Sequence, residues 1–230
     1  MTSTVSTIIL GAGASIRMAS PKQLSPYKGK ALLEHAICTA QEADCGPIVV
    51  VLGAHADLIA RSLQITCESY GADLGPVDIF NCGRKKIHFL HNSRWNEGQS
   101  SSLVLGVWAA LLTNSQSVLI MLCDQPWIDA VDLRRLIDAQ TRSSVGIAAA
   151  AFAQTIGAPA CFSRARFGEL LQLQGDRGAK MLLTKYTDQI ERVAMPHAEM
   201  DIDTPADLCR LQNWWPVENR GLQPTSPRRN

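Results

Sequence analysis

Short apolar runs alternate with segments of helical periodicity along this chain, and this alternation is what most constrains its fold. The runs lie at 8–10, 47–52 and 118–122, and the last is typical of a strand covered on both faces of a parallel sheet. Strands are also predicted over 87–90 and 145–151, and the segment 68–86, which contains glycine and proline, is predicted to be a long loop. Helices are predicted over 31–43, 56–63, 101–112, 129–140, 164–173 and 179–186. This order predicts an α/β fold with a mostly parallel sheet and helices on both of its faces.

The composition is that of an ordinary globular protein, with 46% hydrophobic and 19% charged residues in a chain of 230. It predicts one domain over 1–215, followed by a disordered tail over 216–230. The formal net charge of +1 gives no reason to expect nucleic acid or a membrane as a partner. No apolar stretch approaches the roughly 20 residues of a spanning helix. There is no secretory signal pattern, and the seven cysteines form no CxxC pair, so we expect a cytoplasmic protein with reduced thiols.

The segment 10–22, LGAGASIRMASPK, carries small residues directly after the first predicted strand. Small residues at 11–13 let a backbone approach a ligand closely, and successive N–H groups on such a turn bind anions. Arg17 and Lys22 suit a ligand with several phosphates. The segment is neither a P-loop nor a GxGxxG motif, since Ile16 stands where the third glycine belongs, so a dinucleotide fold is disfavoured. It predicts a nucleotide site, although a plain strand-to-helix turn with two solvated cations fits the residues equally well.

Acidic residues in two later segments could hold a metal ion. Asp124 lies two positions after Leu122, the last residue of the run at 118–122, and thus at the carboxyl end of a central strand, where open α/β sheets bind ligands. It suits Mg²⁺, which prefers oxygen and needs only one or two protein carboxylates, but a helix cap is an equal alternative. Asp201 and Asp203 alternate in an extended segment and point to the same side, so they could share a cation with Asp124.

Polar residues precede three of the predicted helices. Thr204, followed by Pro205, predicts a helix start, with Asp207 completing a capping box. The serines within 92–103 offer hydroxyl and N–H groups to a base, ribose or phosphate. The turn at 175–180, GDRGAK, suits an acceptor substrate. Taken singly, either of the last two segments could be an ordinary cap.

Five motifs taken in order resemble those of the MobA-like nucleotidyltransferases, specifically the molybdenum cofactor cytidylyltransferase branch. That family shows LAAGxSxRMGxxK, NxxWxxGxSSSL, DQP after a strand, GDxGAxxLL and DIDTPxDL. This chain carries LGAGASIRMASPK (10–22), NSRWNEGQSSSL (92–103), DQP (124–126), GDRGAKMLL (175–183) and DIDTPADL (201–208). The resemblance implies a Rossmann-like three-layer α/β sandwich with a mostly parallel sheet, the nucleotide-diphospho-sugar transferase fold.

The resemblance also implies roles for individual residues. Arg17, Lys22 and Asp124 would be catalytic, and Mg²⁺ would be the cofactor, held by Asp124 and Asp203. The nucleotide would be bound by Leu10, Gly11, Ala12, Gly13, Ser15, Arg17, Lys22, Gly53, Asn92, Ser100, Ser101 and Ser102. The acceptor would be bound at Gly157, Asp176 and Arg177.

The implied reaction moves a CMP group from CTP to molybdopterin and releases pyrophosphate. Ala12 favours CTP, because cytidylyltransferases carry alanine third in the LAAG turn where guanylyltransferases carry glycine. The implied partners are CTP or another nucleoside triphosphate, a phosphorylated acceptor such as molybdopterin, and a molybdenum-dependent apoenzyme.

Three positions depart from the family pattern. Gly11 and Ala19 replace an alanine and a glycine, and Ala158, in the loop 157–159 expected to face the acceptor, replaces a histidine of many relatives. Other readings therefore stay open: a sugar-phosphate or alditol-phosphate acceptor, GTP as donor, or a non-catalytic maturation factor for a molybdenum enzyme. A glycosyltransferase using Asp201 and Asp203 is less favoured, because the turn at 10–22 would then have no clear task.

Overall fold

The computed structural model describes residues 4–63, 69–72, 75–82 and 85–213, with side chains described over 4–63 and 87–211. The strands are β1 (Val5–Gly11), β2 (Pro26–Tyr27), β3 (Lys30–Ala31), β4 (Ile48–Leu52), β5 (Ser69–Ala72), β6 (Gly75–Cys82), β7 (Lys85–His91), β8 (Ser117–Leu122), β9 (Ile147–Phe152), β10 (Thr155–Ser163) and β11 (Glu191–Ala194). The helices are α1 (Leu32–Ala43), α2 (Ala56–Ser62), α3 (Gln99–Leu112), α4 (Ala130–Arg142), α5 (Phe167–Leu170), α6 (Lys180–Lys185) and α7 (Pro205–Asn213).

A single large sheet forms the centre of the molecule. Its nine strands lie in the order β11-β9-β10-β8-β1-β4-β7-β6-β5, and β2 and β3 form a separate hairpin. The strands β8, β1, β4 and β7 pair in parallel, whereas β6 and β10 run against their neighbours. Because β11 is parallel to β9, all strands except β6 and β10 run in one direction, so the predicted mostly parallel sheet is confirmed.

Alternation along β1 explains the three layers. Ile9 packs on one face of the sheet with the apolar sides of α1 and α4, as Leu33 and Leu133 show. Ile8 and Leu10 point to the opposite face and pack with α3, α5 and α6. Successive side chains of a strand alternate between faces, so the consecutive apolar residues at 8–10 supply both cores. Helices therefore cover both faces of the sheet, as the sequence predicts.

Three predictions of secondary structure were wrong. The segment predicted as a loop over 68–86 contains β5 and β6, which pair with each other, and β6 also pairs with β7. The helix predicted over 164–173 is divided into a 3-10 turn, Arg164–Arg166, and the short α5, where Gly168 weakens helix propensity. The strands β2, β3, β10 and β11 were not predicted at all. The remaining strands and helices of the prediction are confirmed within three residues at their ends.

The sequence predictions about membrane spans, cysteines and the C-terminal tail can be compared with the structure only where residues are described. In the described ranges, no helix combines the length and the apolar character needed to cross a membrane. The cysteines with described side chains are free thiols, namely Cys38, Cys45, Cys123, Cys161 and Cys209. The tail predicted over 216–230 lies outside the described residues.

Glu169 joins α5 to α6 through a cluster of ion pairs. It accepts hydrogen bonds from Lys185 Nζ (2.6 Å), Arg166 Nη1 (2.7 Å) and Tyr186 Oη (3.0 Å). The bond from Lys185 contributes most, and together these donors outweigh desolvation and lower the pKa of Glu169 to about 2.

We expect Glu169→Gln to lower the free energy of unfolding by about 1 kcal/mol at pH 7, a small value because the Glu169 side chain is 27% exposed. A depressed carboxyl pKa stabilises the fold above its unfolded-state pKa of about 4.3, and this contribution is lost as pH falls toward 2. Urea unfolding from pH 7 to pH 2.5 should show the difference between wild type and variant shrinking below about pH 4. A difference that stays constant over this range, or an equal loss in an exposed control such as Glu191→Gln, would contradict the assignment.

Candidate active site

A buried glutamine shapes the turn that follows β1. The Nε2 atom of Gln23 donates to the carbonyl oxygens of Gly11 (2.7 Å) and Gly13 (3.0 Å), and Gln23 is only 1% exposed. The hydroxyl of Ser15 accepts from the backbone N–H of Lys22 (3.0 Å). Ser15 itself has a φ of 53°, in the left-handed region. The hydrogen bonds of Gln23 and Ser15 thus stabilise the turn and fix the backbone position of Lys22.

The end of β4 supports this turn from the other side. The N–H of Ala54 donates to the carbonyl of Ala12 (3.1 Å), and His55 Nε2 lies 3.0 Å from the carbonyl of Ala14. Gly53 has no space for a side chain, since a Cβ atom there would lie 2.6 Å from the carbonyl oxygen of Ala12. Close packing of β4 against the turn therefore requires glycine at this position.

We expect Gly53→Ala to displace the turn, because the space is occupied by the carbonyl oxygen of Ala12 and by the Cβ atoms of Ala12 and Trp95 rather than by the far end of a flexible side chain. The predicted cost is about 1–3 kcal/mol of stability, as for other overpacked sites, together with a raised KM for the nucleotide. Thermal unfolding and nucleotide titration would measure both. As the control, Gly13→Ala should leave stability nearly unchanged, since nothing lies within 4 Å of a Cβ there. Equal behaviour of the two variants would contradict the packing argument.

Two carboxylates from distant parts of the chain meet the cations of the turn. Asp124, which follows β8, is 7% exposed. The ammonium of Lys22 donates to Asp124 Oδ2 and to Asp203 Oδ1, the latter at 2.8 Å. Arg17 Nη2 donates to the other oxygen of Asp203, at 2.6 Å. The structure thus brings together four of the residues to which the sequence assigned phosphate or metal binding.

The charges in this cluster affect one another. Burial alone would lower the pKa of Lys22, but the charge of Asp124 and hydrogen bonds to both carboxylates outweigh it and raise that pKa. The hydrogen bond from Lys22, helped by the charge of Arg17, lowers the pKa of Asp203. Asp201 is exposed as a residue, yet desolvation of its carboxyl and the charge of Asp124 raise its pKa to about 6. Lys22 and Asp203 are therefore charged at neutral pH.

The acid pair suits a divalent cation. Asp124 Oδ1 is buried and has no hydrogen-bond partner, so one carboxylate oxygen is left for a ligand. Among the side chains that the structure describes, no group of three or more His, Cys, Asp or Glu residues could hold a metal. Mg²⁺ commonly uses only one or two protein carboxylates and completes its shell with water and phosphate oxygens. Asp124 and Asp203 match that requirement, and a shared role for Asp201 remains a prediction.

The carboxylates of Asp124 and Asp203 do not cap helices, because other residues cap the helices that follow them. The N-cap of α4 is Asp129, whose side chain accepts from the N–H groups of Val131 (2.8 Å) and Asp132 (2.9 Å), so the cap alternative for Asp124 is wrong. The predicted capping box at the start of α7 is confirmed, since Thr204 and Asp207 exchange hydrogen bonds.

Backbone contacts hold the segment that carries Asp203 against Asp124. The N–H of Ile202 donates to the carbonyl of Asp124 (3.0 Å). The amide of Gln125 donates to the carbonyls of Ala198 (3.0 Å) and Ala158 (3.2 Å). Gln125 thus connects the end of β8 to both the C-terminal segment and β10.

Asn92 and the serines of α3 form a second wall beside the turn. The N–H of Asn92 donates to the carbonyl of Leu52, the last residue of β4, at 2.8 Å. Its amide donates to the hydroxyls of Ser101 and Ser102, both at 2.8 Å. Ser100 and Ser102 are buried, at 0% and 3% exposure. The Ser102 hydroxyl accepts from Asn92, whereas the Ser100 hydroxyl has no hydrogen-bond partner, and a nucleotide-binding role for these serines stays a prediction.

The three residues expected near the acceptor lie in two places. Gly157 belongs to β10, at a register shift between Gly157 and Ala160, so the loop predicted at 157–159 is wrong. Asp176 and Arg177 are exposed in the turn before α6. This turn packs on α3, where the N–H of Ser100 donates to the carbonyl of Gly175 (3.0 Å).

Three residues of the site were not identified from the sequence: Gln23, His55 and Gln125. Each binds backbone carbonyls of a neighbouring segment, so its partners are set only by the folded chain. For two of them the sequence offered one signal, which is their position: Gln23 directly follows Lys22, and Gln125 directly follows Asp124.

Solved structures share this architecture. Rv0371c of Mycobacterium tuberculosis H37Rv, in a complex with manganese, is 25% identical to this chain with a TM-score of 0.68, covering 93% of this chain and 100% of that one. A 4-diphosphocytidyl-2C-methyl-D-erythritol synthase of Anaerococcus prevotii shows the same fold, with a TM-score of 0.67, 17% identity, and coverage of 92% and 96%. The predicted nucleotide-diphospho-sugar transferase fold is thereby confirmed.

With this fold and a cation-flanked turn at the end of its first strand, the protein is a nucleotidyltransferase that uses a nucleoside triphosphate. Residues 7–190 match the MobA-like NTP transferase domain. The chain belongs to that family, as its motifs predict. A nicotine blue oxidoreductase of Paenarthrobacter nicotinovorans is also similar, with 27% identity over 219 residues that cover 90% of this chain and 96% of that protein.

Proposed function

We propose that this protein transfers a CMP group from CTP to molybdopterin with Mg²⁺ as its cofactor, releasing pyrophosphate. The observation that carries the proposal is the meeting of Arg17, Lys22, Asp124 and Asp203 at the turn after β1. Two cations there suit a triphosphate, and two carboxylates suit the divalent cation that accompanies it.

The proposed reaction is an in-line displacement at the α-phosphorus of CTP. An oxygen of the acceptor's terminal phosphate forms a bond to this phosphorus. The bond from the phosphorus to the oxygen bridging toward the β-phosphate breaks, and pyrophosphate leaves with that electron pair. A phosphate monoester has a second pKa near 6, so the nucleophile is already ionised at neutral pH. No protein general base is required.

The residues of the turn act by alignment and charge. The N–H groups at 11–15 would hold the triphosphate, and Lys22 and Arg17 would stabilise the negative charge on the leaving pyrophosphate. Bound Mg²⁺ would neutralise phosphate charge, with Asp124 and Asp203 as its protein ligands. Manganese in the structure of Rv0371c supports a divalent cation in this role.

The choice of CTP and of molybdopterin rests on the sequence motifs. Ala12 is the residue that favours CTP, and it packs against Gly53, where a Cβ atom would lie 2.9 Å from its own Cβ. The acceptor would lie toward Gly157, Asp176 and Arg177. A molybdenum-dependent apoenzyme would receive the product, and the cytoplasm is the proposed location.

Pyrophosphate release measured with each of the four nucleoside triphosphates, with and without molybdenum-loaded molybdopterin, tests this proposal. We expect release with CTP only when the acceptor is present, and a product heavier by CMP in the mass spectrum. Release with GTP, or with a sugar phosphate or an alditol phosphate, would retain the reaction class and change the substrate. Binding of CTP without any release would favour a maturation factor.

The similarity to a nicotine blue oxidoreductase over most of both chains favours a redox reaction as the second candidate. The turn after β1 lacks the GxGxxG pattern of dinucleotide folds, and its two cations meet carboxylates instead. Oxidation of NADH or NADPH with nicotine blue, in the absence of pyrophosphate release with any triphosphate, would favour this candidate over the nucleotidyl transfer.

A further inference from the structure

Lys22 stands between the two carboxylates that the proposed function assigns to the metal. Its ammonium contacts Asp124 Oδ2 and lies 2.8 Å from Asp203 Oδ1. Arg17 takes the second oxygen of Asp203 at 2.6 Å. Of the four carboxylate oxygens of Asp124 and Asp203, only Asp124 Oδ1 has no hydrogen-bond partner. The side chain expected to hold the triphosphate is therefore paired with the two carboxylates that are expected to hold the metal.

Each of these two carboxylates is paired with a cation, and the carboxyl of Asp201 also lies near Asp124 and Lys22. Two cations face two carboxylates, and the side chains of Lys22 and Asp124 are only 17% and 10% exposed. A divalent cation arriving alone would add two positive charges beside a poorly solvated ammonium, and such neighbours repel strongly.

We propose that Lys22 holds the place of the divalent cation in the free protein and leaves it only when a triphosphate offers a second anionic partner. Metal and nucleotide then enter the site as a pair, and metal alone binds weakly. Lys22 thereby couples the two ligands, and such coupling is reciprocal. This inference rests on the metal and triphosphate site of the proposed function, and it is independent of the base and of the acceptor.

Binding of Mn²⁺ to the nucleotide-free protein, followed by the EPR signal of unbound Mn²⁺, tests this inference. Lys22→Met retains much of the side-chain volume without the charge, and we expect it to bind Mn²⁺ about 10-fold more tightly than wild type. Lys22→Arg, which keeps the charge, should bind as weakly as wild type. The control is Lys185→Met, which removes another carboxylate-paired lysine, 2.6 Å from Glu169, and should not change Mn²⁺ affinity.

Two further measurements test whether the gain in Mn²⁺ affinity arises at the carboxylate of Asp124. Adding Asp124→Asn to Lys22→Met should abolish the gain in affinity, and Mn²⁺ should raise the melting temperature of Lys22→Met more than that of wild type. Equal or weaker Mn²⁺ binding by Lys22→Met, or a gain that survives Asp124→Asn, would overturn the inference. If wild type binds no Mn²⁺ even with CTP present, the metal site of the proposed function is itself wrong, and the inference is overturned with it.

Discussion

Replacing Lys22 by alanine should lower turnover by about 10²–10³-fold while the protein stays folded, because this side chain supplies charge that no other residue can supply from its position. Lys22 is the one cation of the cluster that reaches both Asp124 and Asp203. Loss of a single preorganised electrostatic contact to a developing charge typically has an effect of this size. Pyrophosphate release under saturating CTP and acceptor measures it.

Lys185→Ala provides the matched control for this prediction. Its ammonium also pairs with a carboxylate, that of Glu169, but in the cluster between α5 and α6. We expect normal turnover from this control. Near-normal turnover of Lys22→Ala, or an equal loss in both variants, would contradict the assigned role. Circular dichroism and thermal unfolding would verify that the variants are folded.

Asp124→Asn should also reduce turnover by about 10²–10³-fold, for a different reason. The amide has nearly the shape of the carboxylate, so α4 and the sheet should be undisturbed. The change removes the negative charge beside Lys22 and the buried oxygen that lacks a partner. We therefore expect the concentration of Mg²⁺ needed for half-maximal activity to rise as well.

A comparison with Asp138→Asn isolates the effect of Asp124. Asp138 is exposed on α4, and the same substitution there should leave both turnover and the Mg²⁺ requirement unchanged. If Asp124→Asn keeps the wild-type Mg²⁺ requirement, Asp124 is not a metal ligand. A large loss of stability without a change in the metal requirement would assign Asp124 to the fold alone.

The central strands were predictable because their signal is local. The runs at 47–52 and 118–122 are apolar on both faces, and a segment of that kind has few stable alternatives to the middle of a sheet. The turn after β1 and the capping box of Thr204 and Asp207 were predictable for the same reason, since each is set by neighbouring residues.

The strands β10 and β11 were missed because they depend instead on distant partners. Gly157 and Pro159 weaken β10 as a strand, and the residues pair only because β8 and β9 lie on either side, with a register shift at that point. In β11, Val193 is the only buried residue, so its sequence carries almost no strand pattern. The loop predicted over 68–86 was wrong because Gly71, Gly75 and Pro76 lie in strands that pair side by side.

The candidate site was predictable in its parts and less so in its arrangement. Arg17, Lys22, Asp124 and Asp203 all carry charge at motif positions, so their residue types alone pointed to phosphate or metal. That Lys22 would lie between the acids was not predictable, because Lys22 and Asp203 are separated by 181 positions and meet only in the folded chain. The buried amide of Gln23, which fixes this geometry, has no distinctive sequence pattern of its own.

The most direct test of a single metal and triphosphate site is a crystal grown with Mn²⁺ and a non-hydrolysable CTP analogue, examined by anomalous diffraction. We expect one manganese peak bonded to carboxylate oxygens of both Asp124 and Asp203, at roughly 2.1–2.3 Å. The triphosphate should lie on the N–H groups at 11–15, with the Lys22 ammonium moved onto a phosphate oxygen. Manganese bound away from these two aspartates, or a triphosphate that does not touch the turn after β1, would contradict the account.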